Sequence, residues 1–434
     1  MMKNLISDNY LQYIDFLKEL AMMPSTFGNP NDVMKAIEFC KKIFEMNLSD
    51  YIIYFDAEHN LIALPKNVNV DEDIVYLSAH VDTVDADPKD WDKPFHPWKV
   101  YENDKEIVAR GVSDCKAGVA YQLFLSFLVK KKLIKIKNLV FTITFKEEGA
   151  GKKTSIEIAK QIGKKLPLSN QSTYFIVLEN NVSVKTPPVL SIYTAERGNF
   201  AIKITGFIPE LQRCLMALSH WNPVSIEPLV DMETEWQVQK QEGGHVCSVS
   251  RENNLLTKII LGADKNSLVK AGSKGNFSVV PTEIFTSQYH NREKHSLVLS
   301  NRSFDSRDEV LGQLNGIEYE ALKDFAISGG FNVEEKFKQN KISKILEDCK
   351  DESALKLEYS CNIGGSDATA IYSSMDVKNR ERFLPIVMGP GSRSQRDNPK
   401  PRLTHGKNET YDKEGGEKAM VFITKVLERL GFII

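Results

Sequence analysis

The chain has 434 residues, 42% of them hydrophobic, which exceeds one ordinary single-core domain and supplies enough apolar material for two. Its 56 Lys and Arg against 58 Asp and Glu leave a formal net charge of -2. With the two signs interspersed there is no basic footprint for nucleic acid and none for anionic lipid, so a small solute is the expected partner.

At the N-terminus, Asp8 and Asp15 interrupt the apolar run that a secretory signal needs, and no later segment reaches membrane-spanning length. The reading is a cytoplasmic protein with no membrane partner. After Asn29-Pro30-Asn31, the residues Val33, Met34, Ile37, Cys40 and Phe44 recur at helical spacing. Four short runs are continuously apolar: IVYLSA from Ile74, LVFTITF from Leu139, YFIVL from Tyr174 and FLPIVMG from Phe383. Such runs fit strands covered on both faces. Between the first two, Gly118 to Leu128 carries one apolar helical face in Val119, Leu123, Phe124, Phe127 and Leu128. This alternation predicts an α/β fold with a doubly wound, mostly parallel sheet.

From about Gly198 the pattern changes. FAIKIT, WQVQKQ, SVVPTEIFTSQY and SLVLSNRSF alternate as half-exposed antiparallel strands do, with helices expected at PELQRCLMALSH and over Asp308 to Phe325 and a strand at FNVEEKF. An inserted α+β domain is therefore expected over 198–338, within a catalytic domain formed by 1–197 and 339–434. The final helix carries Met420, Phe422, Ile423, Val426 and Leu427 and is expected to stop at Gly431. The six cysteines (Cys40, Cys115, Cys214, Cys247, Cys349 and Cys361) lack CxxC spacing, so reduced, mostly buried thiols are expected.

Each apolar strand ends in a metal-competent side chain, and in open α/β sheets ligands bind at the carboxyl ends of strands. SAHVDTV gives His80 and Asp82, FKEEG gives Glu147 and Glu148, and VLEN gives Glu179. Asp114 precedes the helix after the first strand, and His405 lies in LTHGKNE after the last. Two imidazoles with three carboxylates suit a pair of zinc ions, whereas calcium or magnesium would use oxygen alone. Asp82, alternate to His80, can fix the tautomer and orientation of its imidazole. In the Glu147-Glu148 pair one carboxylate can bind metal while the other stays free as a general base. Alone, each motif is ordinarily a solvated strand end; the reading rests on their combined order.

With these motifs in place, the sequence resembles the zinc metallopeptidase and deacylase family of acetylornithine deacetylase, succinyl-diaminopimelate desuccinylase and glutamate carboxypeptidase, over nearly the whole chain. The resemblance implies two Zn2+ per chain, with Co2+ or Mn2+ as possible substitutes. His80 and Glu179 would complete the first metal site, Glu148 and His405 the second, and Asp114 would bridge them. Glu147 would be the general base for a metal-polarised water and Asp82 the orienter. The peptide bond from Asp114 to Cys115 would be cis. GGSDA is similar to the family's substrate-binding loop, which points to Gly364, Gly365 and Ser366. The insertion resembles a ferredoxin-like lid through which the chain would form a homodimer. Glu at position 179, where aminopeptidases of the family carry Asp, favours a deacylase or carboxypeptidase acting on small N-acyl amino acids or short peptides. A dipeptidase or aminopeptidase is the alternative within the family.

Two features depart from the family's pattern. No His follows the first lid strand, for which His220 and His245 are unranked substitutes, and the lid's Asn-x-x-Pro is replaced by Ser278-Val279-Val280-Pro281, with Asn276 displaced. The missing His prompts the alternative of another class, a non-catalytic binding or assembly module, against which every metal ligand and Glu147 stand. Arg302 and Arg307 could each fork onto a substrate carboxylate or form a plain surface ion pair; Arg307 is carried as the candidate. His96 and Cys115 are read as structural, Cys115 because neighbouring carboxylates raise a thiol's pKa.

Overall fold

The structure, a computed structural model, describes residues 2–148, 153–183, 185–196, 198–206, 240–242, 277–289, 292–303, 319–321, 330–362, 365–392 and 405–434. The chain divides into two compact units: Met1–Ala195, Val333–Ser360 and Ser366–Ile434 make the first, and Glu196–Asn332 with Cys361–Gly365 the second. In chain order the elements that matter here are helices α1 (Met2–Ala21) and α2 (Pro30–Asn47), strands β1 (Tyr51–Phe55), β2 (Leu61–Pro65) and β3 (Ile74–His80), α3 (Lys116–Lys130), β4 (Leu139–Thr144), α4 (Lys153–Gln161), β5 (Thr173–Val177) and β6 (Val189–Glu196). The second unit contributes β7 (Gly198–Gly206), β8 (Lys240–Glu242), β9 (Phe277–Tyr289), β10 (Arg292–Ser303) and β11 (Tyr319–Ala321). The first then resumes with α5 (Lys341–Ser353), α6 (Asp367–Ser374), β12 (Phe383–Val387) and α7 (Lys413–Arg429).

The main sheet of the first unit runs β1-β2-β4-β3-β5-β12-β6. Its centre, β4-β3-β5-β12, is parallel. Every residue of these four strands is buried, which is why they read as unbroken apolar runs and not as alternating ones. Full burial of each Val, Leu, Ile or Phe contributes about 1.5–3 kcal/mol, so this sheet is the unit's principal stabilising layer. From β3 the chain crosses through α3 to β4 on one side, then through α4 to β5 on the other. Right-handed crossovers in opposite directions place α3 and α4 on opposite faces, which is the doubly wound arrangement the sequence predicts.

Helix α3 departs from its expected single apolar face: Lys116 to Ser126 are all buried, as is Leu128. It packs on β3 beneath α1 and α2, and a helix covered all round has no solvent face to pattern. Gly118 permits this closeness, since a Cβ there would come 2.2 Å from the Leu178 carbonyl. Helix α7 is capped by the Asp412 carboxylate, which accepts from the Gly415 N–H at 2.6 Å. It ends where expected, with Gly431 at φ +85° and Phe432 N–H donating to Leu427 O.

In the second unit, β8-β9-β10-β7-β11 form an antiparallel sheet, with β9 shifting register between Pro281 and Glu283, where a proline cannot donate to the ladder. Two expectations fail. FNVEEKF is strand only at Phe331–Asn332; Glu334–Gln339 is helix. Glu334 and Glu335 in its first turn favour the helix N-terminus, and buried Phe337 sits four residues after buried Val333, a helical spacing. Within the expected helix 308–325, Tyr319–Ala321 is a strand paired to β7, a case of sheet pairing overriding local pattern. The rest of that stretch, and PELQRCLMALSH, lie outside the described residues.

Candidate metal centre

Four loops at the carboxyl edge of the parallel sheet carry charged side chains to one place. His80 is the last residue of β3 and is 1% exposed. Its Nδ1 lies 3.0 Å from the Asp82 carbonyl oxygen, which can only accept, so Nδ1 carries a proton and Nε2 is the nitrogen left to face a metal. That Nε2 faces Asp114 Oδ1 at 3.1 Å and Glu179 Oε1 at 4.0 Å. On the other side of Asp114, Oδ2 lies 3.4 Å from His405 Nε2, which is 2.9 Å from Glu148 Oε1. Asp114 thus turns one oxygen to each histidine. The atoms of His80, Asp114 and Glu148 that could ligate a metal all lie within 4.8 Å of one another, as do those of His80, Cys115 and Glu179.

This donor set fits two divalent cations. Lone pair meets lone pair at His80 Nε2 and Asp114 unless a proton or a metal ion stands between them. Three carboxylates, Asp114 buried and Glu148 and Glu179 half-buried, against two imidazoles also leave an excess of negative charge. The titrations carry that excess: burial, together with the nearby Asp114 charge, pushes Glu179 well above the carboxylate range, and Glu148 rises for the same causes. Burial opposes protonation of both histidines, yet the surrounding anions overcome it and raise both. Asp114 moves the other way, because its bonds to His405 and His80 outweigh its burial. Oxygen and nitrogen donors in this proportion suit zinc or a similar borderline ion.

Asp82 has a task that the sequence does not reveal. Its carboxylate accepts the N–H of Glu147 at 2.9 Å and of Glu148 at 3.0 Å, so the residue that holds His80 also fixes the backbone of the glutamate pair. Glu147 is 8% exposed, and its charge bears on both Glu148 and Glu179, which sets it beside both halves of the cluster. The peptide bond from Asp114 to Cys115 is cis. Burial raises the Cys115 thiol, which donates to Leu178 O at 2.8 Å and is thereby held away from nucleophilic use. His96 accepts from Trp98 N–H at 3.1 Å, in keeping with a packing role.

Of the proposed substrate-binding residues, Gly364 and Arg307 lie outside the described residues, as do His220, His245 and Asn276. Gly365 is described, and Ser366 spends its hydroxyl on capping α6, accepting from Ala368 N–H at 3.2 Å. The next residue, Asp367, is fully buried and accepts from Thr144 Oγ1 at 2.6 Å and from Ser155, tying this loop to the end of β4 and to α4. Sequence reasoning also misses Lys116 and Glu409. Lys116 is fully buried, donates to Met23 O at 2.7 Å, and burial brings its ammonium down to about 7. The only signal for Glu409 is an acid four residues beyond a candidate ligand histidine.

A cluster of this kind at the carboxyl edge of a doubly wound sheet is a donor set for metal ions placed where open α/β sheets bind their ligands. The chain matches peptidase family M20/M25/M40 over residues 76–430 and belongs to it. It is 26% identical over 210 residues to N-fatty-acyl-amino acid synthase/hydrolase PM20D1 of Xenopus tropicalis, a match spanning 45% of this chain and 40% of that relative's length. In fold it is similar to the M20 family metallo-carboxypeptidase Sso-CP2 from Sulfolobus solfataricus, with TM-score 0.65 and 15% identity over 96% of this chain and 99% of the other. It is also similar to human carnosine dipeptidase 1, with TM-score 0.63 and 12% identity over 99% of each chain. Among the described residues, no helix is long and apolar enough to cross a membrane.

Proposed function

We propose that this chain is a deacylase or carboxypeptidase that hydrolyses the amide bond of small N-acyl amino acids or short peptides. Two zinc ions would be held by His80, Glu179 and Asp114 on one side and by His405, Glu148 and Asp114 on the other. The observation that carries this reading is Asp114 itself, with Oδ1 turned to His80 and Oδ2 to His405, the disposition a shared carboxylate needs. When bound, the cations polarise the scissile carbonyl and the attacking water and neutralise the charge that develops on the carbonyl oxygen.

Glu147 accepts a proton from the attacking water and delivers it to the departing amine. Its backbone, anchored on Asp82, keeps the carboxylate beside the cluster while Glu148 serves as ligand. Glu179, one CH2 longer than Asp, favours the deacylase or carboxypeptidase over the aminopeptidase of the same family. Residues 198–338 act as lid and homodimer interface, and Gly364, Gly365, Ser366 and Arg307 contact the substrate. Free thiols at Cys40, Cys115, Cys349 and Cys361 accord with a cytoplasmic setting.

The test is a panel of N-acetyl, N-succinyl and longer N-acyl amino acids beside dipeptides, assayed with added zinc, with Glu147→Gln as control. Turnover should require metal, favour the acylated or carboxypeptidase substrates, and fall about 10²–10⁴-fold in the variant while metal content stays near wild type. Near-wild-type turnover by Glu147→Gln on a substrate cleaved in a metal-dependent way would remove Glu147 from its role.

A further inference from the structure

The loop that delivers Asp114 is short, buried and irregular, and something must hold its backbone. That anchor is one side chain from far away in sequence. Glu409, 3% exposed, accepts four donors. Its Oε1 takes the N–H groups of Ser113 at 2.9 Å and of Asp114 itself at 3.0 Å. Its Oε2 takes the Gly111 N–H at 2.9 Å and Arg110 Nη1 at 3.0 Å. Arg110 reaches on with Nη2 to the His405 carbonyl at 3.4 Å. Glu409 stands four residues from His405, so the loop bearing the shared carboxylate and the loop bearing the second histidine are clamped to each other through one carboxylate and one guanidinium.

We infer that Glu409 is a positioning residue that sets the carboxylate of Asp114 between His80 and His405, and so governs both metal half-sites at once. The inference rests on the two-cation reading of the cluster. Carboxylate chemistry is required: with four donors converging, a glutamine of the same shape offers one accepting oxygen and turns its NH2 toward two N–H groups that then have no acceptor. The loop must shift to relieve that conflict, and Asp114 shifts with it. A ligand on only one side, such as Glu148, lacks this double reach.

The experiment titrates metal-depleted full-length protein with Co2+, following the absorption spectrum of the bound ion and the stoichiometry, for wild type, E409Q, E409D and E148Q. In E409Q both ions should bind about 10–100-fold more weakly with an altered spectrum, because outer partners of metal ligands carry effects of that size. E148Q should weaken one ion only. E409D keeps the charge and should recover part of the affinity. A purely structural role would instead lower the folded fraction by circular dichroism while the loaded fraction kept the wild-type spectrum. Wild-type protein that takes up no Co2+ sinks the two-cation reading and this inference with it. Wild type loading two ions while folded E409Q loads them equally well overturns the positioning role alone. If E409Q does not fold, E409D decides: weaker binding of both ions supports the role, and unchanged binding overturns it.

Discussion

Asp82 stands where the imidazole of His80 and the backbone of Glu147 and Glu148 meet: its carbonyl lies 3.0 Å from the ring's Nδ1, and its carboxylate takes the two N–H groups while Oδ1 also lies 3.4 Å from that Nδ1. Asp82→Asn keeps the carbonyl contact to His80 but removes the carboxylate charge beside the ring and turns an NH2 toward one of the two backbone donors. We therefore expect turnover and metal affinity both to drop about 10–100-fold with His80 still in place, read by kinetics and metal titration on the purified variant. Unchanged affinity and rate would mean the glutamate pair holds its position without Asp82. Titration at the cluster gives a second prediction. The folded pKa values of Glu148, His80 and His405 lie above their unfolded values, so the metal-free folded chain binds protons that the unfolded chain has released. Its stability from these groups therefore falls as pH rises, from 4.5 upward through Glu148 and from 6.5 upward through the histidines. Asp114, with its pKa lowered, contributes stability above 3.8 that is lost as pH falls below it. A metal ion must displace those held protons, so zinc loading at about pH 7 should release protons and bind more tightly as pH rises. Calorimetry in buffers of different ionisation enthalpy measures this directly, and loading without proton release would contradict it.

At the scale of elements, the site depends on how closely α3 lies against the strand ends. A Cβ on Gly118 would meet Leu178 O at 2.2 Å, and one on Gly389 would meet the backbone of Glu179 at 2.1 Å. Both contacts are with backbone and cannot be relieved by a side-chain rotation. Gly118→Ala should therefore cost about 1–3 kcal/mol in urea unfolding through overpacking, despite alanine's better helix propensity. It should also loosen metal binding, because Leu178 precedes Glu179 and α3 follows Asp114. A stabilised variant with normal metal content would show that the helix can retreat without cost. Elements with an unbroken apolar run or a clean period were the legible ones: β3, β4, β5 and β12 follow from their apolar runs, and α7 from its period and Gly431. Helix α1, the β1-β2 hairpin and β6 were not read: the first two have mixed patterns that acquire meaning only from what covers them, and in β6 the buried Ser191 and Thr194 break the apolar run. FNVEEKF was misread because a few apolar positions at ambiguous spacing fit a strand and a helix equally until Val333 and Phe337 find the same side.

For the molecule as a whole, metal and fold are linked. Ions that bind only the folded cluster raise stability by mass action, about 2.7 kcal/mol for a ligand at 100 times its dissociation constant. Chelation should therefore lower the thermal midpoint of the first unit and readdition of zinc restore it, as calorimetric scans would register; midpoints indifferent to metal would mean that the cluster does not hold ions in the folded state. The sequence by itself determined the parallel sheet, the order of its strands' chemistry and the residues able to bind metal, because burial on both faces and a polar strand end are written locally. Only the tertiary structure decided which oxygen of Asp114 faces which histidine. It alone disclosed that Asp82 holds the glutamate pair and that Glu409, 295 residues from Asp114, holds its loop. Hydrogen bonds across such separations leave no period or spacing in the chain, since they arise only when independent loops are brought to the same edge of a sheet.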